Sequence, residues 1–321
     1  MRALIRLLLV AVMVGGLIWT AGCAPTISGA TKDDTTVTGT SKELAKTTSD
    51  VEEYLGPKLR VGVVNFQNKT PSKVLGIGEA AADILGTILQ KSGRFIVIPQ
   101  QDMESIAHQQ ALGASGMINP DTAAKMGEVL GLNAIVTGAV TAYSEAEEGQ
   151  DMLVYKSKKQ IARVTVDYRL VDTTTGVQIM ADSGAGIYEK SVGRVLGMGG
   201  KASYDSDLRD GALRDALTKA MVNMQKQLAK RKWQGRIASA KGSQVYINAG
   251  QKSGIQVGDK MMVYRPGDPI IDPVTRVKIG MEETFIGEVT ILQNDLGDSG
   301  DLSLARGGGQ FKTGDIVKLA K

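Results

Sequence analysis

The spacing of apolar side chains divides the chain into stretches of different period. Arg60 to Phe66 (RVGVVNF) is nearly continuous in apolar and small residues and predicts a buried strand. Ile77, Ala81, Ile84, Leu85 and Ile88 then recur at helical spacing until Gly93, and Arg94 to Ile98 predicts a second strand stopped by Pro99. Met103, Ile106, Ala107 and Gln110 suit a half-buried helix. Asn119 with Pro120 behind it marks the start of another, which ends near Gly131. Ala134 to Val140 predicts a third strand.

From there the period is two. Ala162, Val164, Val166, Tyr168 and Leu170 alternate with Arg163, Thr165, Asp167 and Arg169, which predicts a strand with one wet face. Asp172-Thr173-Thr174-Thr175-Gly176 is a turn, and Val177 to Ala181 returns as the hairpin partner. After a Gly-rich stretch at 193–207, a long helix is predicted from about Asp207 to Lys232. Its apolar stripe is Leu208, Ala212, Ala216, Ala220, Met224 and Leu228. Lys226, Lys230, Arg231 and Lys232 crowd its end, where the helix dipole favours cations; a lipid-headgroup or nucleic-acid patch is the alternative, disfavoured because no aromatic side chain interleaves before Trp233.

Beyond Trp233 the helical period disappears. Short apolar runs (GRIAS, QVYINAG, KMMVYRPGD, FIGEVTIL, LSLA, DIVKLA) alternate with Gly, Asp and Pro turns, which predicts a small antiparallel β-barrel, SH3-like in size. Gly254 to Asp259 (GIQVGD) and Gln310 to Asp315 (QFKTGD) echo each other, each placing Gly-Asp just before a strand. One turn used twice explains the echo, with Gly at φ > 0 and Asp accepting from backbone N–H groups.

The N-terminus follows different rules. Arg2 and Arg6 precede an apolar run from Leu7 to Trp19, shorter than the roughly 20 residues of a spanning helix. Small residues and then Cys23 follow. Residues 1–22 therefore predict a cleaved signal peptide, and Thr20-Ala21-Gly22-Cys23 resembles a bacterial lipobox. That resemblance implies diacylglycerol on the Cys23 sulfur and an acyl chain, such as palmitate, on the new amine. A non-lipidated signal peptide or an uncleaved anchor are the competing readings. Cys23 is followed by Ala24 rather than the Asp associated with inner-membrane retention, which implies an outer-membrane anchor with the body in the periplasm. Residues 23–57 are rich in Thr, Ser, Asp and Lys and lack core-forming side chains. As a flexible coil they would span about 30–35 Å and are read as a lipid-anchored tether; a disordered terminus without a specific role is equally compatible.

Composition narrows the chemistry. The chain has 321 residues, one Cys and one His, and a formal net charge of +4. No intrachain disulfide can form, and a Cys/His zinc site lacks its ligands. The modest charge does not suggest a nucleic-acid partner. Gly76-Ile77-Gly78-Glu79-Ala80-Ala81 fits G-x-G-x-x-A, but nine residues separate it from the first strand, and Pro99-Gln100-Gln101 stands where a ribose-binding acid is required. The glycines are read as a close turn into the helix, with Ala80 and Ala81 on the sheet, so no nucleotide or other cofactor is expected. His108 has only Glu104 at helical contact spacing, which suits a surface pair. Glu145, Glu147 and Glu148 form a solvated acidic cluster. No catalytic, metal or cofactor residue is assigned, and no enzymatic activity is expected; Cys23 is the one candidate site residue.

Three blocks together resemble a family: Arg60 to Thr70 (RVGVVNFQNKT), Gly76 to Leu85 (GIGEAAADIL) and Ser92 to Ile98 (SGRFIVI). With Leu132 to Gly138 and Val171 to Gly176, they are similar to the curli production assembly and transport component CsgG, over roughly residues 58–230. The stretch 233–321 resembles the C-terminal domain of the flagellar ring protein FlgT. The resemblance implies an α+β protein: a three-layer-like α/β domain of the CsgG or TolB N-terminal type at 58–232, then the barrel at 233–321. It also implies a homo-oligomeric ring under the outer membrane, serving protein secretion or assembly with a secreted or envelope protein as partner. In the curli channel each subunit contributes two hairpins to a secretion barrel. The corresponding segments here are Tyr143 to Tyr168 and Ile187 to Asp207, and neither offers a lipid-compatible face. A scaffold that forms no pore, docking a flagellar or cell-wall assembly through the barrel, is the alternative.

Overall fold

The computed structural model describes residues 56–320 apart from 72–73, 99, 104–126, 128–129, 152–154, 196–205, 275 and 277. The signal segment with Cys23, nearly all of the tether, His108, the Asn119–Pro120 helix start and most of the Gly-rich stretch lie outside them. The described fold is mixed α/β, mostly strands with few helices.

β1 (Leu59–Val63) takes its place from a run buried on both sides, as a parallel strand between two neighbours must be. Its partners are β3 (Phe95–Ile98) and β4 (Ala134–Asp151), both parallel to it. The short β2 (Gln67–Asn68) extends that side, pairing with Ala139 and Val140 of β4. β5 (Tyr155–Asp172) and β6 (Gln178–Val195) follow as antiparallel neighbours, giving the order β3-β1-β4-β5-β6. β4, β5 and β6 are 18 residues each, about 60 Å of strand. The sequence pattern predicted strands only in their halves nearest the core, 134–140, 162–170 and 177–181.

Two helices cover that half. α1 (Ile77–Lys91) buries Ile77, Ala81, Ile84, Leu85 and Ile88, the expected stripe. Gly76 precedes it in the left-handed region, and Gly78 packs so closely that a Cβ there would lie 1.9 Å from the Phe66 carbonyl oxygen. The G-x-G-x-x-A sequence thus brings the helix against the strand loop, with Ala81 buried and Ala80 packed on the core. α2 (Ser206–Leu228) buries Leu208, Ala212, Ala216, Ala220, Met224 and Leu228 against β5 and β6. It stops four residues short of the expected end, so Lys230, Arg231 and Lys232 stand outside the helix. Arg231 instead pairs with Asp172 of the β5–β6 turn at 2.7 Å. That tertiary ion pair, rather than the helix dipole alone, places this cation.

The remaining strands are β7 (Gly235–Lys241), β8 (Gln244–Ile247), β9 (Lys260–Ile271), β10 (Lys278–Leu296), β11 (Leu302–Gly308) and β12 (Ile316–Leu319). All pairings among them are antiparallel, and the order β10-β11-β8-β7-β12-β9 closes on itself as a barrel. The echo is one turn used twice. Gly258 and Gly314 have φ of 93° and 92°, and Asp259 and Asp315 each accept the N–H three residues back at 2.8 Å. The copies differ in one respect: Asp315 is buried and also takes Arg265 Nε at 3.0 Å and Nη2 at 2.9 Å.

Candidate functional site: the junction end and the far half of the sheet

β1 and β4 both start at one end of the sheet, and the barrel is joined to that end. Arg60 on β1 donates from Nη2 to Asp301 Oδ2 at 2.8 Å, across 241 residues of sequence. The other Asp301 oxygen accepts Gly250 N (2.8 Å), Ser253 N (2.9 Å) and Ser253 Oγ (2.7 Å). Burial by itself raises the Asp301 carboxyl, but the donors from Arg60, Ser253 and Gly250 outweigh it and hold the group below the usual carboxylate range. Asn133, just before β4, accepts Arg60 N at 2.8 Å and donates to Gln234 O at 2.9 Å. The first described stretch is held here too, with Lys58 N donating to Ser253 O at 2.7 Å. Sequence reasoning missed Asp301 and Arg60 because neither has a local motif. Gly300-Asp301 before β11 shares its Gly-Asp spelling with four other places in the chain, too many to single it out.

Beside this clasp lies a cleft of about 300 Å³, walled in part by Leu59, Asn133, Thr174 and Ile179 and rimmed by Lys230, Arg231 and Lys232. Asp172 shapes one wall. Its Oδ1 accepts Thr174 N at 2.7 Å and Thr175 N at 3.2 Å, while Oδ2 meets Arg231. Among the described residues the cleft presents cations and the polar side chains of Asn133, Asp172, Thr174 and Gln234, with no paired nucleophile and base. Among the described residues no group of three or more His, Cys, Asp or Glu could hold a metal ion.

The opposite end is the far half of β4, β5 and β6. Glu145, Glu147 and Glu148 are exposed there on β4, as the sequence suggested. Glu147 Oε1 accepts Gln160 Nε2 at 3.1 Å, and Lys159 pairs with Glu189 at 2.7 Å. Tyr143 donates to Glu145; burial and that carboxylate push the phenol well above its ordinary value. Charges therefore stand on both faces of this three-stranded ribbon. Among the described residues no helix is long and apolar enough to cross a membrane, which leaves strands out of account.

Of the residues singled out from sequence, the structure assigns Gly76, Gly78, Asp259 and Asp315 to turns and packing. Cys23 and His108 fall outside the described residues.

The chain is similar to known proteins. A relative from Neisseria meningitidis serogroup B, "Putative lipoprotein NMB1126/NMB1164", is 28% identical over 205 residues, which is 60% of this chain and 87% of that one. Overlap with solved structures is shallow. Lipoprotein GNA1162 from Neisseria meningitidis has 19% identity and a TM-score of 0.32, over 52% of this chain and 96% of that one. The LpoB C-terminal domain from Escherichia coli has 14% identity and a TM-score of 0.32, over 44% and 93%. Residues 43–258 match the family described as curli production assembly/transport component CsgG, a span that takes in the whole α/β body and the first strands of the barrel. The chain belongs to the CsgG family.

Proposed function

We propose that this protein is an outer-membrane lipoprotein, attached through acyl groups on Cys23, that assembles with copies of itself into a periplasm-facing oligomer for protein secretion or assembly at the cell envelope. The observation that carries the reading is the pairing of a CsgG-family body with a sole Cys at the end of an apolar leader. The body acts by position and contact, not by catalysis: among the described residues the buried carboxylates Asp172, Asp301 and Asp315 are each paired, with Arg231, Arg60 and Arg265. The barrel, SH3-like in its size and closure, supplies a second contact surface.

A second reading is favoured by one observation. The far half of β4–β5 carries Glu145, Glu147 and Glu148 on one strand and Lys159 and Arg163 on the other. A Lys or Arg on a lipid-facing position costs about 2–4 kcal/mol at mid-depth, and that cost recurs in every copy. This points to an oligomer that scaffolds envelope assembly without forming a pore.

The test is Cys23→Ser in cells labelled with palmitate. The label is expected to disappear and the body to be recovered in the soluble periplasmic fraction after a high-salt wash, where negative-stain images should still show oligomers. A body that stays membrane-bound and unlabelled in both forms overturns the anchor; monomers at every concentration overturn the assembly. Conductance across a planar bilayer from the lipidated protein would exclude the pore-free version.

A further inference from the structure

We propose that the junction end of the molecule, led by the tip of the β9–β10 hairpin, rests on an anionic phospholipid surface. The inference builds on the lipid-anchor reading above and adds a second, orienting contact to it.

Among the described residues, four large aliphatic side chains crowd this one tip: Val274 is 87% exposed, Ile279 58%, Ile270 45% and Ile271 42%. The register sets Ile271 opposite Lys278 and Ile270 opposite Gly280, so Ile279 falls between them. A soluble surface rarely gathers such groups without a use for them. Cations flank the tip. Arg276 is exposed beside Val274, and Lys278 reaches the body, where its Nζ donates to Thr174 O at 2.9 Å. Thr174 is also a wall of the cleft rimmed by Lys230, Arg231 and Lys232, so apolar tip and basic rim are continuous. The nearby acids are committed or set back. Asp172 pairs with Arg231, Asp272 Oδ1 accepts Val274 N at 2.9 Å, and Glu283 pairs with Lys318. Asp268 and Glu282 lie further along the ribbon than Ile270 and Ile279.

The occupant follows from where the chain comes from. The 33 residues between Cys23 and Pro57 deliver the chain to this same end, where Lys58 is bonded to Ser253 and Leu59 lines the cleft. Aliphatic side chains among cations suit the headgroup boundary of a leaflet with acidic lipids. Because β4 runs away from the junction, this posture directs the far half of β4 and β5 away from the bilayer.

The Cys23→Ser chain, purified from the soluble fraction, should float with phosphatidylethanolamine–phosphatidylglycerol vesicles and not with phosphatidylcholine vesicles. Val274→Glu with Ile279→Glu should reduce the bound fraction at least tenfold. Lys230→Gln with Lys232→Gln should reduce it by about fivefold per charge, with salt doing the same. Should the glutamate pair shift the melting curve, Val274→Ser alone replaces it, with a smaller loss expected. Equal flotation with both vesicles, none with either, or binding unmoved by the variants overturns the proposal. So does a photo-crosslinker at position 274 that captures a protein rather than lipid in cells. Palmitate labelling of the unmodified protein reports the anchor separately, so either reading can fail alone.

Discussion

The two halves of the 18-residue strands β4, β5 and β6 share one backbone ladder and little else. In the half near the junction, Val136, Val140, Val166, Tyr168 and Leu170 are buried under α1 and α2. In the far half, the exposed side chains are Ser144, Glu145, Ala146, Glu147 and Glu148 on β4 alone. Pairing with β1 and β2 stops at Val140, so β4 continues with only β5 beside it among the described residues. Among the described residues no strand pairs with the outer edge of β6. Near the middle, Asp215 accepts Ile187 N at 3.0 Å and Lys219 donates to Ala185 O at 2.9 Å, so two α2 side chains occupy the edge. Such blocking discourages a further strand from adding there. The difference teaches that cover, not strand pairing, makes the near half a core, while the far half is a polar ribbon offered to something else.

Removing the clasp should affect the near half most. Asp301→Ala leaves Arg60 partly buried without its carboxylate and frees Gly250 and Ser253. Breaking a pair of this kind costs about 3–5 kcal/mol. The expected result is a large drop in the unfolding midpoint in urea, with hydrogen exchange accelerating at β1 and β11 and little change in the far half of β5. A pH titration should agree in sign. The Asp301 carboxyl is held below its ordinary value in the fold. Its stabilisation is therefore complete above about pH 4 and lost as pH falls through the lower, folded value. A junction that strengthened on acidification would contradict the assignment.

Gly186 gives the next largest effect and probes how cover is achieved. A Cβ there would lie 2.1 Å from the Ala212 carbonyl oxygen and 2.6 Å from Ala216 N. Gly184, two residues earlier and on the same face, would put one 2.6 Å from the Ala216 carbonyl. These glycines, facing Ala212 and Ala216, let α2 approach the sheet closely enough to reach its edge. Gly186→Ala should push the helix off at a cost of about 2 kcal/mol. A thermal melt should show it, along with faster exchange of the Ile187 amide as Asp215 loses reach. An unchanged melt would mean that α2 does not set the depth of the near half.

The sequence made the near half legible and the far half hard to see for the same reason. Val164, Val166, Tyr168 and Leu170 alternate with wet residues, so period two finds them. Tyr143 to Glu148 have no apolar face, and only pairing with β5 makes them a strand. The α2 stripe and the repeated Gly-Asp turn were also readable, because spacing within a few residues determines both. The Arg60–Asp301 clasp and the Arg231–Asp172 pair were not. Their partners are far apart in sequence, and only the closing of the barrel against β1 and the packing of α2 over the sheet bring them together. Lys230 to Lys232 looked like a helix end for lack of that information.

The smallest expected effect sharpens the comparison furthest. Glu148 is exposed on β4, opposite Lys159 in the register, and Lys159 already has Glu189 at 2.7 Å. In an isolated chain, Glu148→Ala should therefore change stability by less than about 0.5 kcal/mol, the range of an exposed pair. The measurement is informative because it can be made at two concentrations. If dilute protein shows no effect and concentrated protein loses stability or assembles less, the far ribbon is covered by a neighbouring copy, and its polarity is that of a wet interface. If the effect is absent at both, the ribbon stays solvated in the oligomer and copies meet elsewhere. A loss above 1 kcal/mol in dilute protein would break the comparison, since the far half would then be held by intrachain cover like the near one.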